Sequence, residues 1–120
     1  MNVEAEEMNQ QTNRSQQVDL EARVTARIRN RLGLHARPAA EFVKLAAGFD
    51  SEIWVEKEGL EVNGKSIMGV MMLAAEAGSE ILIRALGADA EAAVQSLATL
   101  VRNGFDEELA DGLDPTAEPA

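Results

Sequence analysis

Between residues 21 and 104 the spacing of apolar positions switches repeatedly between two periods. Val24, Ala26 and Ile28 alternate with Thr25, Arg27 and Arg29, the two-residue period of a strand with one buried face. Gly33 interrupts that pattern. Ala39, Ala40, Val43 and Ala46 or Ala47 then follow helical spacing, which predicts a helix from Ala36 or Arg37 to Ala47 with Gly48 as its terminator. Ser51 to Lys57, containing Ile53, Trp54 and Val55, reads as a second strand. Glu58-Gly59 is a hairpin signal and Leu60-Glu61-Val62 the return strand. Ser66 to Leu73 is short, apolar and rich in methionine, with Ser66 placed to cap it. Gly78 closes that region. Ile81 and Ile83 alternate with Glu80, Leu82 and Arg84 in a fourth strand, and Asp89 is placed as the N-cap of a last helix. The stripe Val94, Leu97 and Val101 of that helix stops near Asn103-Gly104.

The order strand, helix, strand, strand, helix, strand, helix predicts an α+β domain. Its helices cover the apolar face of the strands. Periodicity does not give the order of strands in the sheet, and no internal repeat is present.

Charge changes the picture at the two ends. Residues 1–20 carry four acids and one base, residues 105–120 six acids and no base, so most of the net charge of −10 lies outside the body. The segment 21–104 holds eleven acids and ten bases and is nearly neutral. Residues 1–20 bury too little to offset the entropy of ordering and read as a disordered polar arm. Residues 105–120 read as a disordered acidic tail, with Phe105 and Leu109 as the residues able to dock on the body. This balance argues against nucleic acid as a partner, and four aromatics (Phe42, Phe49, Trp54, Phe105) are too few for base stacking. The absence of cysteine, signal peptide and membrane-length apolar run predicts a cytoplasmic protein with no membrane insertion.

The chemistry centres on the single histidine, His35, in Gly33-Leu34-His35-Ala36-Arg37-Pro38-Ala39. Proline is pre-set for the first turn of a helix, so His35 falls at the cap, on the positive end of the helix dipole. The unpaired amides there form an anion site, and Arg37 supplies a forked cation beside it. An imidazole is available as a nucleophile near neutral pH. Nucleophile, amides and guanidinium together point to a histidine that carries a phosphoryl group, with His35 as acceptor and Arg37 steadying the oxygens. No metal site is expected, because there is no second histidine and no cysteine, and no cofactor is implied. Gly33 supplies either backbone freedom, a close approach for a partner, or a simple turn.

The segment Gly33-Leu34-His35-Ala36-Arg37-Pro38-Ala39-Ala40 resembles the phosphorylation site of the HPr family, the histidine-containing phosphocarriers of the bacterial phosphoenolpyruvate:sugar phosphotransferase system. Val62-Asn63-Gly64-Lys65-Ser66-Ile67-Met68-Gly69-Val70-Met71 resembles the family's regulatory serine region, in the same order along the chain. The resemblance covers residues 21–104. It implies an HPr-like open-faced sandwich, a four-stranded antiparallel sheet with three helices on one face. It implies phosphorylation of His35 at Nδ1 by enzyme I and transfer to enzyme II A-type domains, the chain itself being a substrate of enzymes and a monomer. It further implies that Ala36, Arg37, Ala40, Lys44, Ile67 and Met68 meet those partners.

Ser66 reads as a helix cap, and the resemblance adds a second role, phosphorylation by an HPr kinase/phosphorylase. A phosphate there would repel an acidic partner. Four large apolar residues, Ile67, Met68, Met71 and Met72, exceed what a two-turn helix buries, so some are expected on the surface, where methionine suits varied partners. Glu41, Ala47 and Gly69 depart from the basic and polar residues common at these places in the family, which weakens charge attraction. The competing reading is a regulatory module, of the family's nitrogen branch or switched at Ser66, that controls a partner protein.

Overall fold

The computed structural model describes residues 20–110. The expected N-terminal arm and the tail beyond Ala110 lie outside the described residues, apart from Leu20. Four strands form: β1 (Glu21–Arg27), β2 (Glu52–Lys57), β3 (Leu60–Asn63) and β4 (Glu80–Leu86). Three helices accompany them: α1 (Ala36–Ala47), α2 (Ile67–Met72) and α3 (Ala90–Arg102). A short 3-10 turn, Gly104–Asp106, follows α3.

The strands form one antiparallel sheet in the order β1-β4-β2-β3. Register explains why the alternating pattern sufficed to define its faces. Val24 stands opposite Ile83, Ile83 opposite Val55, and Val55 opposite Val62, so one apolar row crosses all four strands. Ala22, Ala85 and Ile53 form a second row beside it. These residues face the helices. The opposite face carries Arg23, Arg84, Trp54 and Asn63 in the intervening row, with the Arg84 guanidinium 4.0 Å from the centre of the Trp54 ring.

Between sheet and helices Phe42, Ile53, Val70, Ile81, Ile83, Leu97 and Val101 are buried. A side chain the size of Phe42 removed from water contributes about 2–3 kcal/mol. Helix α3 packs on β1 and β4, and α1 packs against both α2 and α3. The β2–β3 turn has positive φ at both Glu58 (52°) and Gly59 (85°), the handedness that a two-residue hairpin needs. Ser66 caps α2 as the sequence predicts, its Oγ accepting from the Gly69 amide at 3.0 Å.

Two local expectations change. Asp89 occupies the N-cap of α3, yet its carboxylate makes no cap bond. It accepts instead from the amides of Asp50 (2.8 Å) and Ser51 (2.9 Å) and from the Ser51 hydroxyl, tying the start of β2 to the start of α3. The folded body also runs past residue 104, where the sequence pattern ends it. Phe105 is fully buried, Asn30 and Leu109 form an isolated β-bridge, and the Ala110 amide donates to the Arg29 carbonyl at 2.9 Å. One buried ring, a few backbone bonds and side-chain bonds from Asn30, His35 and Arg37 hold this strap, while its acids Asp106 and Glu108 stay at the surface. Acidic composition therefore does not keep residues 105–110 off the body.

Candidate functional site

The loop from β1 to α1 is shaped by one close approach. Gly33 has φ +71°, and a Cβ there would lie 2.4 Å from the carbonyl oxygen of Ala75. The Leu34 amide donates to that same oxygen at 2.9 Å. The close neighbour of Gly33 is thus a backbone within the domain. This contact delivers the chain to His35, which is the N-cap of α1 with extended backbone angles.

The His35 imidazole does not cap the helix. It turns to the strap, where Nε2 lies 2.9 Å from Oε2 and 3.1 Å from Oε1 of Glu107. Arg37, the second residue of the helix, donates from Nε to Glu107 at 2.8 Å and from Nη2 to the Phe105 carbonyl at 2.7 Å. Its Nη1 is hydrogen-bonded to Glu41. Asn30, wholly buried in the loop just after β1, donates from Nδ2 to Glu107 (2.9 Å) and to the Gly33 carbonyl (2.7 Å). Both partners are acceptors only, which fixes the orientation of the amide.

Glu107 therefore gathers donors from three places, and its side chain is 16% exposed. Burial pushes its pKa up, but hydrogen bonds from Asn30, His35 and Arg37 outweigh that and hold the carboxyl below its ordinary range. The Glu107 hydrogen bond, with Glu41 alongside, raises the Arg37 guanidinium further above its already high value. An ionised carboxylate only accepts, so Nε2 of His35 bears the proton. In the neutral ring Nδ1 then holds the lone pair, and among the described residues it has no hydrogen-bond partner.

No acidic residue lies in the first turn of α1 itself, and the carboxylate at this end is that of Glu107, held on His35 and Arg37. An open depression of about 480 Å³ lies beside His35, lined by Arg31, Leu32, Leu34, Ala75 and Glu76 among others. Among the described residues no group of three or more His, Cys, Asp or Glu side chains is arranged to hold a metal.

Residues 22–103 match the family model described as "PTS HPr component phosphorylation site". The chain belongs to the HPr family. It is 48% identical over 84 residues to the phosphocarrier protein HPr of Treponema pallidum, covering 70% of this chain and 96% of that protein. It is 38% identical over 85 residues to the phosphocarrier protein NPr of Escherichia coli, covering 70% and 94%. The crystal structure of HPr-C-His from Thermoanaerobacter tengcongensis superposes with a TM-score of 0.70 at 49% identity, over 73% of this chain and 99% of that one. The open-faced sandwich expected for an HPr is thus the fold observed.

Of the residues singled out in the sequence, His35 and Arg37 come together at one carboxylate. Ala36, Ala40 and Lys44 recur every fourth residue along α1, with Ala36 and Lys44 exposed and Ala40 half-buried. Ile67 and Met68 are 44% and 73% exposed on α2, and Met71 and Met72 are exposed with them. Ser66 is half-buried at the head of that helix. Sequence reasoning missed Asn30 and Glu107. The one available signal was Phe105, an aromatic ring inside an acidic stretch, which marks a segment with something to bury.

Proposed function

We propose that this HPr-family chain accepts a phosphoryl group on Nδ1 of His35 from phosphorylated enzyme I and passes it to enzyme II A-type domains, acting in the cytoplasm. The observation that carries this reading is the His35–Glu107 contact. It leaves a lone pair on Nδ1 at the uncapped end of α1, with a guanidinium beside it. Family membership supports the direction of transfer. The oxygens of the arriving group meet the first amides of α1, and Arg37 joins them by exchanging one of its carboxylate contacts. Positioning and charge stabilisation are the chief contributions a protein makes to this chemistry.

The exposed apolar side chains of Ile67 and Met68, with Ala36, Ala40 and Lys44 on the neighbouring helix, are the surface that docks both classes of partner. Phosphorylation of Ser66 by an HPr kinase/phosphorylase would place a dianion next to Ile67 and weaken docking without touching His35.

The test is intact mass after incubation with phosphoenolpyruvate and enzyme I. The wild-type chain gains about 80 Da, the mass of one phosphoryl group, and loses it in acid. His35→Ala gains nothing. A folded wild-type chain that gains nothing beside an active enzyme I refutes the carrier reading.

A further inference from the structure

Glu107 lies beyond residues 22–103, the stretch that matches the HPr family model, yet it is the hub of the site. Its placement is well fixed. Phe105, two residues before it, is fully buried, and Leu109, two residues after it, forms the bridge to Asn30. Phe105 and Asp106 both sit at positive φ (56° and 58°), a conformation that non-glycine residues adopt only when their surroundings impose it. That kink brings the carboxylate to the imidazole.

We propose that Glu107 is a positioning residue for phosphoryl transfer, its carboxylate keeping the proton on Nε2 of His35 both when the group arrives and when it leaves. This rests on the reading of His35 as the phosphoryl carrier. On arrival the Nδ1 lone pair forms the N–P bond. The bond from phosphorus to the donor's leaving atom breaks, and its electron pair goes to that atom. The ring then carries the phosphoryl group on Nδ1, the proton on Nε2 and a positive charge facing the carboxylate. On departure the N–P electron pair returns to Nδ1, and neutral imidazole is the leaving group. No proton moves in either direction. An opposite charge beside the ring favours its protonated form. Without it, the ring loses the Nε2 proton more readily and would have to leave as an imidazolate, a far poorer leaving group.

The same contacts could do no more than fasten the strap, or the carboxylate could obstruct the phosphoryl group. Glu107→Ala, Glu107→Gln and Glu108→Ala in the full chain separate these roles. Glu108 sits on the same strap, with its side chain directed to Arg31. Two readouts are taken: the ¹⁵N shifts of the His35 ring, and the initial rate of phosphorylation by enzyme I and phosphoenolpyruvate. The wild-type ring reads as the Nε2–H tautomer, and Glu107→Ala shows both tautomers. The phosphorylation rate at saturating donor falls roughly tenfold or more in both Glu107 variants, the scale of one charge-assisted hydrogen bond, with little change in KM. Glu108→Ala keeps the wild-type rate. Glu107→Gln preserves shape and packing, so a wild-type rate in that variant would reduce Glu107 to a fastener. A rate that rises in Glu107→Ala would make the carboxylate an obstacle; either result overturns the proposal. Failure of the carrier reading is separable, because then the wild type takes no phosphoryl group at all. The tautomer shifts still report whether Glu107 sets the ring proton.

Discussion

Gly33→Ala is the sharpest test of how the loop before His35 is built. Gly33 and Gly78 both have positive φ, +71° and +89°, so alanine at either carries the same conformational penalty of about 1–2 kcal/mol. Their surroundings differ. A Cβ at Gly78 meets nothing within 4 Å, whereas at Gly33 it falls 2.4 Å from the Ala75 oxygen and 3.1 Å from Glu76 Cα. Those neighbours are backbone and cannot rotate aside. Separating the two segments also stretches the Leu34–Ala75 hydrogen bond of 2.9 Å. Overpacking of this kind costs about 1–3 kcal/mol and the hydrogen bond about 1 more. Gly33→Ala is therefore expected to cost about 3–6 kcal/mol and Gly78→Ala about 1–2. The entropy lost from the unfolded chain is common to both and cancels in the difference. Urea unfolding followed by Trp54, the only tryptophan, reads both values, provided the m-values agree. Equal costs within about 0.5 kcal/mol would show that the Ala75 segment yields freely and that the close approach is not a constraint. Gly33→Ala should also slow phosphorylation of His35, and Gly78→Ala should not.

Two further substitutions probe the tertiary ties. Asp89→Ala strands the amide and hydroxyl of Ser51, a buried residue, and is expected to cost about 2–4 kcal/mol in urea unfolding, against about 1 for a lost cap. A cost of about 1 or less would return Asp89 to the role of an ordinary cap. The Ser51 hydroxyl, with the Asp50 amide, holds the Asp89 carboxyl below its usual range, so its contribution is present above the unfolded value and lost as pH falls. Wild-type stability should thus decline below about pH 4 more steeply than that of Asp89→Ala. Phe105→Ala should cost about 3–5 kcal/mol and detach the strap, raising amide exchange at Arg31 and Ala110 and weakening the Glu107–His35 contact seen in the ring ¹⁵N shifts. A strap that stays protected in Phe105→Ala would show that the β-bridge and the bonds to Glu107 hold it without the ring.

What could be read in the sequence was local. The alternation in β1 and β4, the proline inside α1, the Ser66 cap and the turn at Glu58-Gly59 each depend on neighbours a few residues away. So does the position of His35 at a helix start. The strand order does not, because it puts β4 between β1 and β2, and nothing in a two-residue period encodes which strand lies alongside. Asp89 has the composition of a cap, but its partners are Asp50 and Ser51, and the competition between them is decided only by the fold. Glu107 was hidden most completely. Among six acids in residues 105–120 nothing local distinguishes it, and its partners lie near the other end of the body.

His35 and Glu107 are 72 residues apart in the chain. A ribosome working from the N-terminus makes the nucleophile early and the carboxylate late, after all four strands. Until β4 inserts between β1 and β2 and the strap closes over Asn30, the imidazole is an ordinary solvated side chain. Pairings this distant in sequence form slowly, since the loop between them must close before they are rewarded. The site is thus a product of the completed body. A fragment ending with α1 or α2, or a peptide copied from residues 33–40, would carry the reactive residue without the group that holds its proton.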